Sequence, residues 1–258
     1  MLTHPLLEKL QQLNCTGMKT ALQEQLQQQD LGDLSFEDRL MLLLDREATQ
    51  RNSRRLQLKL RKAKLKQNAS IENIDFKSAR GLDKALVLSL SSCQWIKEHK
   101  AILLTGATGT GKTYLACALA HQACLEGFSS VYVRLPRLCQ EFLLAKGDGR
   151  YAKLITQLSK TDVLLLDDFG LQTLNDEQCR DLLEILDDRH RLKSTIITSQ
   201  LPVKHWHEAL GNPTLADAIL DRIVHQAYKI QLKGDSLRKK SSATFVDEKL
   251  ALQGVVES

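Results

Sequence analysis

Three features of this sequence predict an α/β fold in which a parallel five-stranded sheet lies between helices, preceded by a small all-helical region. From Ala101 onwards, apolar strand-like runs alternate with helical patterns, and such alternation gives a parallel sheet covered on both faces. Between the first run and the first helical pattern stands Gly106-Ala-Thr-Gly-Thr-Gly111-Lys112-Thr113. This stretch matches the phosphate-binding pattern G-x-x-x-x-G-K-[ST] at every constrained position and has the strand-then-helix flanks the pattern requires. Residues 1 to about 68, by contrast, contain helical stripes and no strand-like run.

Each element follows from its own pattern. Leu6, Leu7, Leu10 and Leu13 form one apolar stripe, and Met18, Leu22 and Leu26 begin another after a break at Asn14 to Gly17. Ser35, with Asp38 three residues on, predicts an N-cap for a long helix from Phe36 towards Asn68, with Leu40, Leu43, Leu44 and Ala48 at core spacing. Residues 69 to 80 read as a linker, followed by a helical stretch from Leu82 to Ile96. Strands are predicted over 101–105, 130–134, 162–167, 194–199 and 227–232, and helices over 112–126, 136–145, 150–160, 175–192 and 214–225. The expected domains are a helical one over 1–68, an α/β core over 69–240 and a C-terminal tail over 241–258.

Composition narrows the class. With 258 residues, 43% of them hydrophobic and 26% charged, the chain suits a soluble globular protein and excludes a largely disordered one. No apolar run approaches the ~18 residues of a membrane span, and the start Met1-Leu-Thr-His-Pro5 lacks the pattern of a secretory signal. A cytoplasmic protein with no membrane partner is therefore expected. The six cysteines form no C-x-x-C pair and read as reduced. His205 and His207 have no third ligand near in sequence and read as a surface turn.

The net charge of +5 is modest but uneven. Arg51, Arg55, Lys59, Lys62 and Lys66 fall on one face of the long helix at about 100° per residue. With no acid among residues 51–66, like charges at i,i+4 repel, and an external polyanion would relieve them. Nucleic acid is the reading adopted, against a plain solvated helix face. Lys146, Arg150 and Lys153, with Arg134 and Arg137, lie between the second and third strands beside Gly147 and Gly149. Together they suggest a mobile basic loop able to reach a duplex.

The chemistry-bearing residues begin with the glycine-rich loop. Backbone N–H groups from Gly109 to Thr113 can turn inward around a triphosphate, which a Cβ at Gly106 or Gly111 would obstruct. The nucleotide-binding stretch is thus Gly106, Ala107, Thr108, Gly109, Thr110, Gly111, Lys112 and Thr113, with Tyr114 opening the helix. Lys112 supplies charge to the β and γ phosphates, Thr113 offers a hydroxyl to Mg²⁺, and the helix dipole favours the anion. Val163-Leu-Leu-Leu-Asp167-Asp168 is an apolar strand ending in two acids. Asp167 is the candidate for the Mg²⁺ shell and Asp168 for orienting or deprotonating the attacking water.

The arrangement resembles AAA+ ATPases, and more narrowly the IstB/DnaC-like group of transposition helpers and helicase loaders. The narrower likeness rests on Leu165-Leu-Asp-Asp-Phe-Gly-Leu171, on Ile197-Thr-Ser-Gln-Leu-Pro202 with Trp206, and on Leu220-Asp-Arg-Ile-Val-His225 followed by Gln231-Leu-Lys-Gly-Asp-Ser236 and Arg238. The resemblance implies an AAA+ P-loop core that binds ATP with Mg²⁺. It makes Gln200 the sensor of the γ-phosphate, where relatives often have Asn, and puts Asp168 where many AAA+ proteins have Glu. Arg222 becomes the arginine finger reaching an adjacent subunit's γ-phosphate, and Ile74 and Phe76 become lining of an adenine pocket, ordinary packing being the rival. The implied function is an ATPase that oligomerises on double-stranded DNA and recruits or stimulates the transposase of the same insertion sequence. A helicase loader, or an ATP-dependent clamp with negligible turnover, are the alternatives.

Overall fold

The structure, a computed structural model, describes residues 5–27, 34–76, 81–234 and 236. The chain divides into two compact units, Met1–Arg61 and Lys62–Ser258.

In the first unit α1 (Pro5–Gln12) and α2 (Thr16–Gln27) are separated at Asn14, whose φ is 55°. The long helix α3 (Phe36–Ala63) starts where the sequence predicts, with the Asp38 N–H donating to Ser35 Oγ at 3.1 Å. Gly17 lets α2 meet α3 backbone to backbone, since a Cβ there would stand 2.7 Å from the Cα of Glu47. Glu47 is buried, and its carboxylate accepts the N–H groups of Gly17 at 2.7 Å and Met18 at 3.1 Å, capping α2 against its dipole. The expected core stripe of α3 needs correction. Leu43 is buried, but Leu40, Leu44 and Ala48 are exposed, and the buried position one turn beyond Leu43 is taken by Glu47.

Helix α3 also ends at Ala63 rather than near Asn68, Lys64 adopting a left-handed φ of 49°. Residues 69–76 are not a free linker: Ala69, Ile71 and Ile74 are buried in the core of the second unit. The expected helix 82–96 is two, α4 (Lys84–Ser91) and α5 (Gln94–Lys97), divided at Cys93 with φ 57°. The tail 241–258 and Arg238 lie outside the described residues.

The second unit is built on β1 (Ala101–Gly106), β2 (Ser130–Arg134), β3 (Val163–Phe169), β4 (Ser194–Ser199) and β5 (Ala227–Leu232), all paired in parallel in the order β2-β3-β4-β1-β5. All five predicted strands are present. Because side chains alternate across a strand, Ile102, Leu104, Val163 and Leu165 face one apolar layer and Leu103, Leu164, Leu166 and Ile197 the other. The first layer is closed by α4, α5 and α6 (Lys112–Leu125). The second is closed by α7 (Leu135–Gly147), α8 (Tyr151–Lys160), α9 (Asp176–Arg189), α10 (Trp206–Leu210) and α11 (Pro213–Val224). Helix α10 was not foreseen. It presses Trp206 against Phe169, ring centroids 4.5 Å apart, directly behind the two acids of β3. No described helix is long and apolar enough to cross a membrane, and no disulfide joins any of the six cysteines, all of which are described.

Candidate nucleotide site

The phosphate loop joins the C-terminal end of β1 to the start of α6, with Gly106, Gly109 and Gly111 at φ of 146°, 85° and 96°. At Gly106 and Gly109 packing within the chain itself also requires glycine. A Cβ on Gly106 would lie 2.2 Å from the carbonyl oxygen of Leu232 in β5, and one on Gly109 would lie 2.0 Å from Ser236 Oγ. The loop is thus packed from outside by Leu232 and Ser236, in the signature stretch 231–236. Lys112 Nζ donates to the carbonyls of Gly106 and Ala107, both at 2.8 Å.

Asp167 is fully buried and brings the metal candidates together. Its Oδ1 accepts from Thr113 Oγ1 at 2.9 Å and from Thr198 Oγ1; its Oδ2 accepts from Tyr132 OH at 2.7 Å. Burial pushes this carboxyl upward, but the bonds from Thr198, Tyr132 and Thr113 and the charge of Lys66 outweigh it and hold it below the usual range. Tyr132 is pushed up by burial and by donating to that carboxylate. The carboxylate and hydroxyl of Asp167 and Thr113 are hard oxygen donors, which suits Mg²⁺. No group of three or more His, Cys, Asp or Glu able to hold a metal occurs among the described residues.

Asp168 occupies a bulge. Leu166 pairs with Ile197 but Phe169 with Ser199, so β3 carries one extra residue there, and Asp168 has φ of 63°. Bulges beside sites re-aim side chains. Here Asp168 turns to Arg134, whose Nε donates to Oδ2 at 2.8 Å. Gln200, at the end of β4, accepts from Thr108 Oγ1 of the phosphate loop at 2.8 Å. The loop, both acids and Gln200 are therefore assembled at the C-terminal edge of the sheet, where ligands bind in open α/β sheets.

Other candidates lie elsewhere. Arg222 borders a cavity of about 190 Å³ with His99, Ala101, Arg189, His190 and Lys193, at the N-terminal edge of the sheet. Its guanidinium donates to Asp187 at 2.8 Å and Asp221 at 2.7 Å. It is thus about one strand length, ~16 Å, from the loop of its own chain. Ile74 is buried and, with Phe76, Lys84 and Gln122, lines a separate cavity. Gln122 is ~15 Å along α6 from Lys112 at 1.5 Å per residue, so this cavity meets α6 well beyond its N-terminal turn.

The basic residues are less free than their spacing suggests. Lys66 is off the α3 stripe, and its Nζ lies 3.5 Å from Asp167 Oδ2. Arg51 bonds to Glu47 at 2.6 Å, so a carboxylate one turn earlier compensates it, contrary to expectation. Arg55, Lys59 and Lys62 stay within α3. The expected mobile loop around Gly147 is largely helix: α7 runs to Gly147 and α8 starts at Tyr151. Lys146 pairs with Glu177 and Asp181, both at 2.7 Å, and Arg150 with Asp148, while Lys153 stands in α8. His205 and His207 pair with Glu208 and Asp217, at 3.6 and 3.3 Å. Sequence reasoning missed the parts played by Lys66, Tyr132, Arg134, Thr198 and Ser236. Nothing local singled out Thr198, since β4 reads Ser-Thr-Ile-Ile-Thr-Ser and is polar at four of its six buried positions.

A parallel α/β sheet with this loop, this acidic strand end and this polar β4 terminus defines a P-loop protein of the AAA+ class. Residues 8–244 match the family of IstB-like ATP binding proteins, and the chain belongs to that family. It is 50% identical over 239 residues to a Sinorhizobium fredii protein named as an insertion sequence ATP-binding protein, covering 93% of this chain and 98% of the relative. Among solved structures it is similar to DnaI, with 25% identity and a TM-score of 0.57 over 64% of this chain and 92% of that one. The DnaC helicase loader shares the fold, with 23% identity and a TM-score of 0.54 over 64% and 97%.

Proposed function

We propose that this protein is an ATPase that assembles on double-stranded DNA, in the presence of ATP and Mg²⁺, and recruits or stimulates the transposase of its own insertion sequence. The observation that carries assembly is the position of Arg222, across the sheet from its own phosphate loop, so that only a neighbouring copy's nucleotide lies open to it. Lys112 leaves the carbonyls of Gly106 and Ala107 for the β and γ phosphates. Asp167 and Thr113 would hold Mg²⁺, which supplies charge neutralisation at the phosphates. Gln200 moves from Thr108 to orient a water on the γ-phosphorus. Asp168, released from Arg134, takes the water's proton as the new P–O bond forms and the bond to the β–γ bridging oxygen breaks. Arg222 of the adjoining copy meets the charge that develops. Asp168 is one methylene shorter than glutamate, and a misplacement near 1 Å costs about 100-fold in rate, so slow turnover is expected.

DNA contact falls to Arg55, Lys59 and Lys62 on α3 and to Lys153 on α8, together with Arg51, Lys146 and Arg150, which must each exchange a carboxylate for a phosphate. The DnaC helicase loader, which shares the fold, prompts a second reading in which the N-terminal helices grip a helicase. The deciding experiment is a DNA-binding titration at low salt, with and without ATP and Mg²⁺, followed by electron microscopy. Assemblies on duplex DNA that need ATP support the first reading; preference for single strands and a helicase supports the second. Arg222→Ala should keep nucleotide affinity while lowering turnover by about 10³-fold, and specific activity should rise with protein concentration. A monomer under every nucleotide condition refutes assembly.

A further inference from the structure

The ion pair of Lys66 with Asp167 was predicted by nothing in the sequence, and it places a cation on the carboxylate read here as the metal ligand. Three hydroxyls donate to Asp167, but neutral donors leave its charge in place, and a buried carboxylate needs a countercharge. Lys66 Nζ is 3.5 Å from Oδ2. Its approach is built into the backbone. The left-handed turn at Lys64 ends α3, Ala69 is buried, and the N–H groups of Lys66 and Gln67 bond to the sulfur of Cys117 on α6, the helix that begins at Lys112.

We propose that Lys66 is a resident cation that occupies Asp167 in the nucleotide-free protein and is displaced by the divalent metal that enters with ATP. An ammonium and a divalent ion on the same carboxylate repel each other, so metal entry must work against the ion pair, and Lys66 raises the metal concentration at which the site fills. Because Lys66 follows the last residue of α3 by three positions, the exchange of cations occurs at the foot of the helix that carries the basic stripe. The inference rests on the reading of this site as one for ATP and Mg²⁺.

The test compares full-length wild type, Lys66→Met and Lys66→Arg. Mn²⁺, a paramagnetic substitute for Mg²⁺, is titrated by electron paramagnetic resonance in the presence of a non-hydrolysable ATP analogue. Nucleotide affinity in EDTA and thermal midpoints with and without Mn²⁺ and nucleotide are measured on the same samples. Lys66→Met should tighten Mn²⁺ about fivefold, roughly the worth of a half-exposed ion pair. It should leave nucleotide affinity in EDTA unchanged and lower the midpoint of the metal-free protein, with the deficit closing when metal and nucleotide are added. Lys66→Arg should stay near wild type. Unchanged Mn²⁺ affinity in Lys66→Met overturns the proposal, and weakened affinity for nucleotide in EDTA overturns it in favour of a phosphate contact. A wild type that binds no nucleotide overturns the nucleotide-site reading itself, which separates the two failures.

Discussion

Replacing Arg189 with methionine pits two effects against each other. The guanidinium is 1% exposed and donates to the carbonyls of Leu158 and Thr161, both at 2.6 Å, to that of Ser194, and to Thr195 Oγ1 at 3.2 Å. It thereby ties α9 to the end of α8 and to the starts of β3 and β4. Burial pulls its pKa down to about 9, with the charge of Asp162 opposing, so the fold bears a desolvation penalty that methionine would remove. Against this, methionine fills the space of the stem but leaves at least three carbonyls without a donor, at about 1–3 kcal/mol each. The orphaned carbonyls win, because the apolar replacement gives water no route to them, and the net loss is about 3 kcal/mol. For a unit of roughly 200 residues that corresponds to a fall in Tm of about 6–12 °C, read by circular dichroism on nucleotide-free protein. Arg189→Lys, keeping one charged donor, should fall between. A midpoint for Arg189→Met within 1–2 °C of wild type would show that desolvation and the lost bonds cancel, and would refute the weighting.

Three further outcomes are expected. Gly106→Ala combines a φ of 146° with a Cβ 2.2 Å from Leu232 O, so β5 must shift; nucleotide affinity should drop at least about tenfold, the equivalent of 1.4 kcal/mol, measured with a fluorescent ATP analogue. Asp162 accepts from Ser129 N–H at 2.9 Å, Ser129 Oγ at 2.7 Å and Lys193 at 2.6 Å. Burial raises its pKa, the bonds and charge of these partners more than reverse that, and the net value is lowered. A carboxyl depressed by folding contributes stability that is present above its unfolded pKa, about 3.9, and is lost as pH falls through the folded value. Asp162→Asn should therefore cost about 1–2 kcal/mol at pH 7 and flatten the acid limb of the stability curve; an unchanged slope below pH 4 would count against it. Glu47→Gln should weaken the capping of α2 by about 1 kcal/mol, seen as faster amide exchange at Gly17 and Met18 with no change in nucleotide affinity.

Much of this molecule is decided by local pattern. The central strands β1 and β3, the phosphate loop between β1 and α6, and the paired acids ending β3 were readable because a strand buried on both faces is a near-continuous apolar run and a phosphate-binding turn must be glycine-rich. Strands β4 and β5, with Ser, Thr, Lys and Gln among their residues, were readable from their place in the strand–helix alternation. Chain-local signals could not show that β4 inserts between β1 and β3, that one extra residue in β3 swings Asp168 towards Arg134, or that Tyr132 and Thr198 close over Asp167. Those facts depend on register between strands distant in sequence. Charge was the least legible property. A helical wheel assigned Arg51 and Lys66 to one stripe, yet a carboxylate one turn earlier holds the first, and the left-handed residue Lys64 diverts the second into the nucleotide site. Spacing fixes the face a side chain would share if the helix continued; only packing decides where the helix stops and which opposite charge is near enough to take hold.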